Sequence, residues 1–259
     1  MALPTYPREI YQKNPLAEVV CQIRFSSLSD LSGKKLEIFR QLAQDRFPRM
    51  EVEEGIATIP TELPLAVMEK FPSQNFYDFI SEDGLWTLSL TEDTLALTCR
   101  RYERWEEFKS WMSLCLDALQ RSYQPQTCSR IGLRYLDVLQ RSQLGLEDAS
   151  WSELLAGPLI GELASPDIGQ DIEDVTREVV FRLNDTYESR VHVRHGFVET
   201  EDETAEICYL VDSDFYTDEE VEIDDASKIL DAYHRHGRNF FRWCISERLH
   251  AAMEPVQAS

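Results

Sequence analysis

Residues 129–139 read SRIGLRYLDVL, and residues 18–25 read EVVCQIRF. In the later stretch Ile131, Leu133 and Tyr135 alternate with Arg130, Gly132 and Arg134. In the earlier one Val19, Cys21, Ile23 and Phe25 alternate with Glu18, Val20, Gln22 and Arg24. A period of two with one apolar face marks a half-buried strand, because successive side chains leave a strand on opposite sides. Each stretch opens a similar run of elements. A helical period follows the first over 33–47, with Leu36, Phe39, Leu42 and Ala43 on one face and Ser32 placed to cap it. Strand patterns come next at 56–59, 75–81, 85–91 and 94–100. A long helix over 104–123 ends the half, with Trp105, Phe108, Met112, Cys115 and Leu119 as its apolar stripe. Beyond 129–139 the pattern predicts helical turns at 151–155 and 159–163 and strands at 175–183, 187–194 and 205–212. A closing helix over 224–253 turns Ala226, Leu230, Tyr233, Gly237, Phe240 and Cys244 inward.

The order β-α-several β-α thus occurs twice, in halves 1–125 and 126–259. Either half alone leaves a sheet face and a helix stripe uncovered, so joining them is the economical arrangement. The expected fold class is α+β: duplicated halves forming one antiparallel sheet with long helices on one face. This order resembles the duplicated saddle of a TATA-box-binding-protein-like fold, or two helix-grip halves. The likeness concerns architecture and implies no function.

Composition sets further bounds. The chain has 259 residues, 43% of them hydrophobic, which suffices for a folded core. A formal charge of −21 argues against direct nucleic-acid binding, which needs a basic face, and leaves only the role of an acidic mimic of DNA. No apolar run is long enough to span a membrane, and the opening MALPTYPREIYQKNPLAEV lacks the apolar core of a secretory signal. Six scattered cysteines with no C-x-x-C spacing predict reduced core thiols, no structural zinc and a cytoplasmic location.

Three groups of residues carry a family resemblance. They are Tyr11-x-Lys13-Asn14-Pro15-Leu16-x-Glu18-Val19-Val20-Cys21-x-Ile23-Arg24-Phe25; Arg130-Ile131-Gly132-Leu133-Arg134-Tyr135; and Asp212-x-Asp214-x-Tyr216 with Leu230-Asp231-x-x-His234 and Phe240-Phe241. Over nearly its whole length the chain resembles a family of sporadically distributed, largely uncharacterised prokaryotic proteins of this size. The resemblance implies a cytoplasmic protein with the patchy distribution of defence or toxin–antitoxin genes, and implies no reaction. The sequence departs from the family pattern where Val211-Asp212-Ser213-Asp214 replaces a more apolar Leu-Asp-Ile-Asp.

The polar residues of these motifs form one candidate site. Arg130 and Arg134 share a strand face, as do Asp212 and Asp214, so two guanidinium forks can meet two carboxylates. With Arg24, Glu18 and His234 added, a ligand pocket on the open sheet face is one reading; structural ion pairs are the other. An EF-hand reading of 212–223 fails, since Tyr216, Thr217 and Ile223 stand where oxygen ligands, a glycine and a glutamate belong. His234 and His236 are two apart on a helix and diverge. No metal and no cofactor is expected. Absence of G-x-S-x-G, phosphate-loop and G-x-G-x-x-G motifs leans against catalysis. Trp111 and Trp243 fall away from their helices' apolar stripes, which would mark a partner surface if both are exposed.

Charge is unevenly placed. Between Glu199 and Asp225 stand 13 acidic residues and no Lys, Arg or His, leaving −8 for the rest of the chain. A solvated loop explains this, and so does an electronegative patch built from Glu201, Asp202, Glu203, Asp218, Glu219, Glu220 and Glu222 that steers a basic protein partner. The functional expectation is therefore a non-catalytic binding protein, monomer or homodimer, in a defence or antitoxin-like setting. The alternative is a ligand sensor or enzyme using Arg24, Arg130, Arg134, Asp212, Asp214 and His234.

Overall fold

The two alternating stretches become the two middle strands of the molecule. The computed structural model describes residues 3–28, 31, 33–55, 74–200 and 205–257. In chain order, the earlier part holds β1 (Glu9–Tyr11), β2 (Leu16–Phe25), α1 (Lys34–Ala43), β3 (Arg49–Gly55), β4 (Gln74–Ile80), β5 (Trp86–Leu90), β6 (Thr94–Cys99) and α2 (Trp105–Tyr123). Next come β7 (Thr127–Leu139), α3 (Arg141–Leu144), α4 (Trp151–Leu154), β8 (Thr176–Arg182), β9 (Arg190–Glu199) and β10 (Ile207–Thr217). The chain closes with β11 (Val221–Glu222), α5 (Ala226–Cys244), α6 (Glu247–Ala252) and β12 (Pro255–Gln257).

The fold is α+β. Among the described residues ten strands form one antiparallel sheet in the order β3-β4-β5-β6-β2-β7-β10-β9-β8, with β11 added at the start of β7. The seam between the earlier and later strands is β2 against β7, with Cys21 opposite Leu133 and Ile23 opposite Ile131. All four side chains are fully buried, because this face of the sheet lies under α2 and α5. The helix stripes match: Trp105, Phe108, Met112, Cys115 and Leu119 on α2, and Ala226, Leu230, Tyr233 and Phe240 on α5, are buried. Gly237 lets α5 approach the sheet, since a Cβ there would lie 2.6 Å from Tyr135 Cε2. The opposite face carries the other half of each alternation and stays in contact with solvent. The two chain ends meet separately, β1 pairing with β12.

Several expectations need correction. The closing helix is interrupted: Ile245 is extended (φ −114°, ψ 150°) and bridges to Leu155, and Ser246 Oγ accepts from Leu249 N at 3.2 Å to start α6. A serine N-cap inside an apolar period resets the helix direction without breaking the pattern of buried residues. β3 has no expected counterpart. The turns expected at 159–163 are two 3₁₀ turns, Gly157–Leu159 and Gly161–Ala164. β9 starts later, because Asp185 Oδ1 accepts from Tyr187 N and Ser189 N and holds that stretch in a turn. Trp111 and Trp243 are half-buried packing residues: Trp111 stacks on Trp86 at 4.5 Å, and Trp243 covers Gly157. The strand expected at 56–59 and the Ser32 cap lie outside the described residues. All six cysteines are buried and outside any disulfide. Among the described residues no helix is long and apolar enough to cross a membrane.

Candidate functional site

Strand alternation puts Arg130, Gly132 and Arg134 of β7 on the solvent face, beside Asp212, Asp214 and Tyr216 of β10. Arg134 donates from Nε and Nη2 to the two oxygens of Asp212 at 2.6 and 2.7 Å, a bidentate fork, and Arg194 of β9 stands 3.5 Å behind. Arg130 bridges Asp214 and Asp218, each at 2.7 Å, and its guanidinium lies 4.1 Å over the Tyr216 ring. Gly132 makes room for this: a methyl there would sit 3.3 Å from Asp214 Oδ1. Burial pushes the Asp214 carboxyl above the usual range, and Arg130 and Arg134 draw it back. The forks thus meet the carboxylates as the spacing predicts, and each fork is occupied by its own carboxylates. Arg24 faces the same side, opposite Arg130 and Thr94, and is exposed. His192 of β9 meets Glu178 of β8 at 2.5 Å.

His234 does not join this cluster. It lies on α5, on the other side of the sheet, stacked on Trp105 at 4.6 Å with Tyr135 Oη 3.2 Å from its Nδ1. The six residues expected to form one site therefore divide five to one across the sheet. The cause is simple: the strand residues point away from the helices, and His234 is carried by a helix.

Where His234 sits there is a cavity of about 100 Å³ between α2, α5, β7 and the β1 strap. Asp137 is among its lining residues. This carboxyl follows Ile131, Leu133 and Tyr135 in the inward register of β7 and is 4% exposed. Among the described residues it has neither a hydrogen bond nor an ion pair. Burial drives its pKa well above the carboxylate range, and the charge of Asp212 adds to that. Two more orphans line the same cavity. Tyr102 Oη and Arg238 Nε are buried without partners. Arg238 Nη2 reaches only Tyr6 O and Asn239 Oδ1, both at 3.5 Å. Burial, then the neighbouring Arg8 and Arg235, depress the Arg238 pKa. His234 is pushed down to about 4, by burial first and then by Arg238 and Arg8, so it is neutral at physiological pH.

The acidic segment is partly spent on structure. Asp212, Asp214 and Asp218 hold arginines. Glu206 accepts from Ser142 N at 3.0 Å and Gln140 Nε2 at 2.9 Å, tying β10 to the chain after β7. Glu219, Glu220 and Glu222 are exposed, while Glu201, Asp202 and Glu203 lie outside the described residues. Among the described residues no group of three or more His, Cys, Asp or Glu is placed to hold a metal ion.

The sequence reading missed Asp137, Tyr102 and Arg238. For Asp137 a signal existed: the alternation that buries Ile131, Leu133 and Tyr135 buries residue 137 as well, and a carboxylate at such a position is anomalous.

No protein-family model matches the chain, and no curated protein matches it. Solved structures that match include one described as "KH domains", with 9% identity and a TM-score of 0.25 over 96% of this chain and 90% of that one. A score this low is too weak to show a shared fold.

Proposed function

We propose that the protein binds a small molecule in the cavity beneath Tyr135 and Asp137 and acts as a ligand sensor. One observation carries this reading. Among the described residues Asp137 is a buried carboxyl with no hydrogen bond or ion pair, and it lines a cavity that Tyr102 and Arg238, each with an unpaired buried polar atom, line as well. Folded proteins pair nearly all such groups, and each orphan costs about 1–3 kcal/mol. Three converging on one cavity are economical when a ligand completes them. On the open face Asp212 and Asp214 already have their arginines, so that cluster offers a ligand less.

The strand order supports an internal duplication in a TATA-box-binding-protein-like saddle. Outward from the β2–β7 seam the neighbours are β6, β5 and β4 on one side and β10, β9 and β8 on the other. In this reading the cavity lies beside the seam, with walls from both halves, and occupancy bears on how they pack. A metabolite screen by shift in unfolding temperature tests it. A compound that shifts the wild type and leaves Asp137→Asn unmoved supports the site; a broad panel without an Asp137-dependent shift removes it.

A second reading keeps a basic protein partner, in a cytoplasmic defence or antitoxin-like setting. Exposed Glu219, Glu220 and Glu222 at the lead-in to α5 favour it. Its test is capture of a basic partner whose association slows with added salt.

A further inference from the structure

We infer that the cavity takes a small zwitterion, the head group of an α-amino acid, with its ammonium on Asp137 and its carboxylate on Arg238. The inference rests on the cavity being a ligand site and adds the chemical class of what fills it. Size comes first. A cavity of about 100 Å³ has room for an amino-acid head group.

Charge decides the rest. Asp137 brings a carboxyl from β7 with no donor to meet it. Arg238 brings a guanidinium from α5, and among the described residues no carboxylate lies within ion-pair reach of it. A ligand with only a positive charge would satisfy Asp137 and meet the field of Arg238 and Arg8, which already opposes a charge on His234. A ligand with only a negative charge would satisfy Arg238 and leave Asp137 as it is. A group carrying both charges completes both sides. The walls agree. Tyr102 lines the cavity, and its unpartnered hydroxyl is a donor for a carboxylate oxygen. The pairs would form out of water, where charge-assisted bonds are strongest. Arg104, at the N-terminal end of α2, lines the same cavity, and an amino-acid side chain would leave past it.

The experiment is calorimetry on the full chain with the twenty common L-amino acids, followed by two analogues of the best binder. One analogue is its primary amide, which keeps the ammonium and loses the negative charge. The other is the corresponding acid with methyl in place of the amino group, which keeps the carboxylate and loses the positive charge. The expected result is saturable binding of at least one amino acid, weakened about 100-fold or more in each analogue, in Asp137→Asn and in Arg238→Gln. The analogues probe both charges on unaltered protein, so the result does not depend on how the variants fold. Binding of either analogue as tightly as the parent, with dependence on Asp137, overturns the zwitterion and leaves the site standing. No binding by any amino acid also overturns it. The site itself then stands if the metabolite screen yields an Asp137-dependent ligand, and falls with the zwitterion if it yields none.

Discussion

Two aspartates on neighbouring strands are almost equally buried and have opposite fates. Asp212 of β10 is 6% exposed and Asp137 of β7 is 4% exposed. In register, Asp212 stands opposite Leu136, one residue from Asp137, so only the thickness of the sheet separates their environments. Asp212 looks out onto the open face, where Arg134 grips both its oxygens and Arg194 stands by. Asp137 looks in under the helices and, among the described residues, meets no hydrogen-bond or ion-pair partner. Burial alone therefore fails to distinguish a structural carboxylate from a functional one; the distinction is whether its partners come from the fold. By that measure the open-face cluster is finished and the cavity is not.

The sharpest way to break this contrast is to unfinish the first cluster. Removing Asp212 as alanine takes the bidentate carboxylate from half-buried Arg134 and should cost about 3–5 kcal/mol of stability, the usual penalty for removing one member of a buried pair. The double replacement Arg134→Met with Asp212→Leu should recover most of that loss, since it removes both charges and keeps the volume. Chemical denaturation of the three variants decides it. A double variant no better than the single one would mean that the pair contributes more than mutual compensation.

The converse change finishes the second cluster. Asp137→Asn should stabilise the ligand-free protein at neutral pH by about 1–3 kcal/mol, because the group costs most when ionised and unpaired. The sign in pH follows from its raised pKa: the folded state holds the proton more tightly than the unfolded one. Stability contributed by that difference is complete below the unfolded carboxyl's pKa, about 4, and is lost as pH rises above it. The advantage of the asparagine variant should therefore grow from pH 4 upward. His234 and His195 act in the opposite direction. Both are pushed down to about 4, so acid favours the unfolded chain between about pH 6.5 and 4. His234→Gln should be closest to wild type at neutral pH and gain on it as pH falls through that window. Urea midpoints across pH 4–8 separate the two slopes.

Much of the frame was legible in the sequence. The alternation in 18–25 and 129–139 locates the two central strands, and the stripe from Trp105 to Leu119 locates a helix, because a two-sided environment writes a strict period. The Arg134–Asp212 fork was also within reach, since spacing by two fixes which side chains share a face. His234 was misassigned because sequence places it on a helix without saying which side of the sheet that helix covers. The break at Ile245–Ser246 was missed because Leu249 and Met253 continue the apolar period across it. Arg238 and Tyr102 come together only through the packing of α5 against the β6–α2 connection, which no local pattern encodes.

The weakest effect expected bears on the third acidic group, the exposed glutamates. Glu219, Glu220 and Glu222 are exposed side chains without arginine partners, unlike Asp218 beside them, which Arg130 holds at 2.7 Å. Reversing all three to lysine should leave stability within about 0.5 kcal/mol, as expected for surface positions away from pairs and caps. Including Asp218→Lys should add a measurable loss by releasing Arg130. If the triple change alone lowers the denaturation midpoint clearly, these glutamates belong to the structural cluster of the open face. If it leaves the fold intact and slows association with a basic partner at low salt, the residual acid of this segment is a steering surface, separate from both the closed cluster and the cavity.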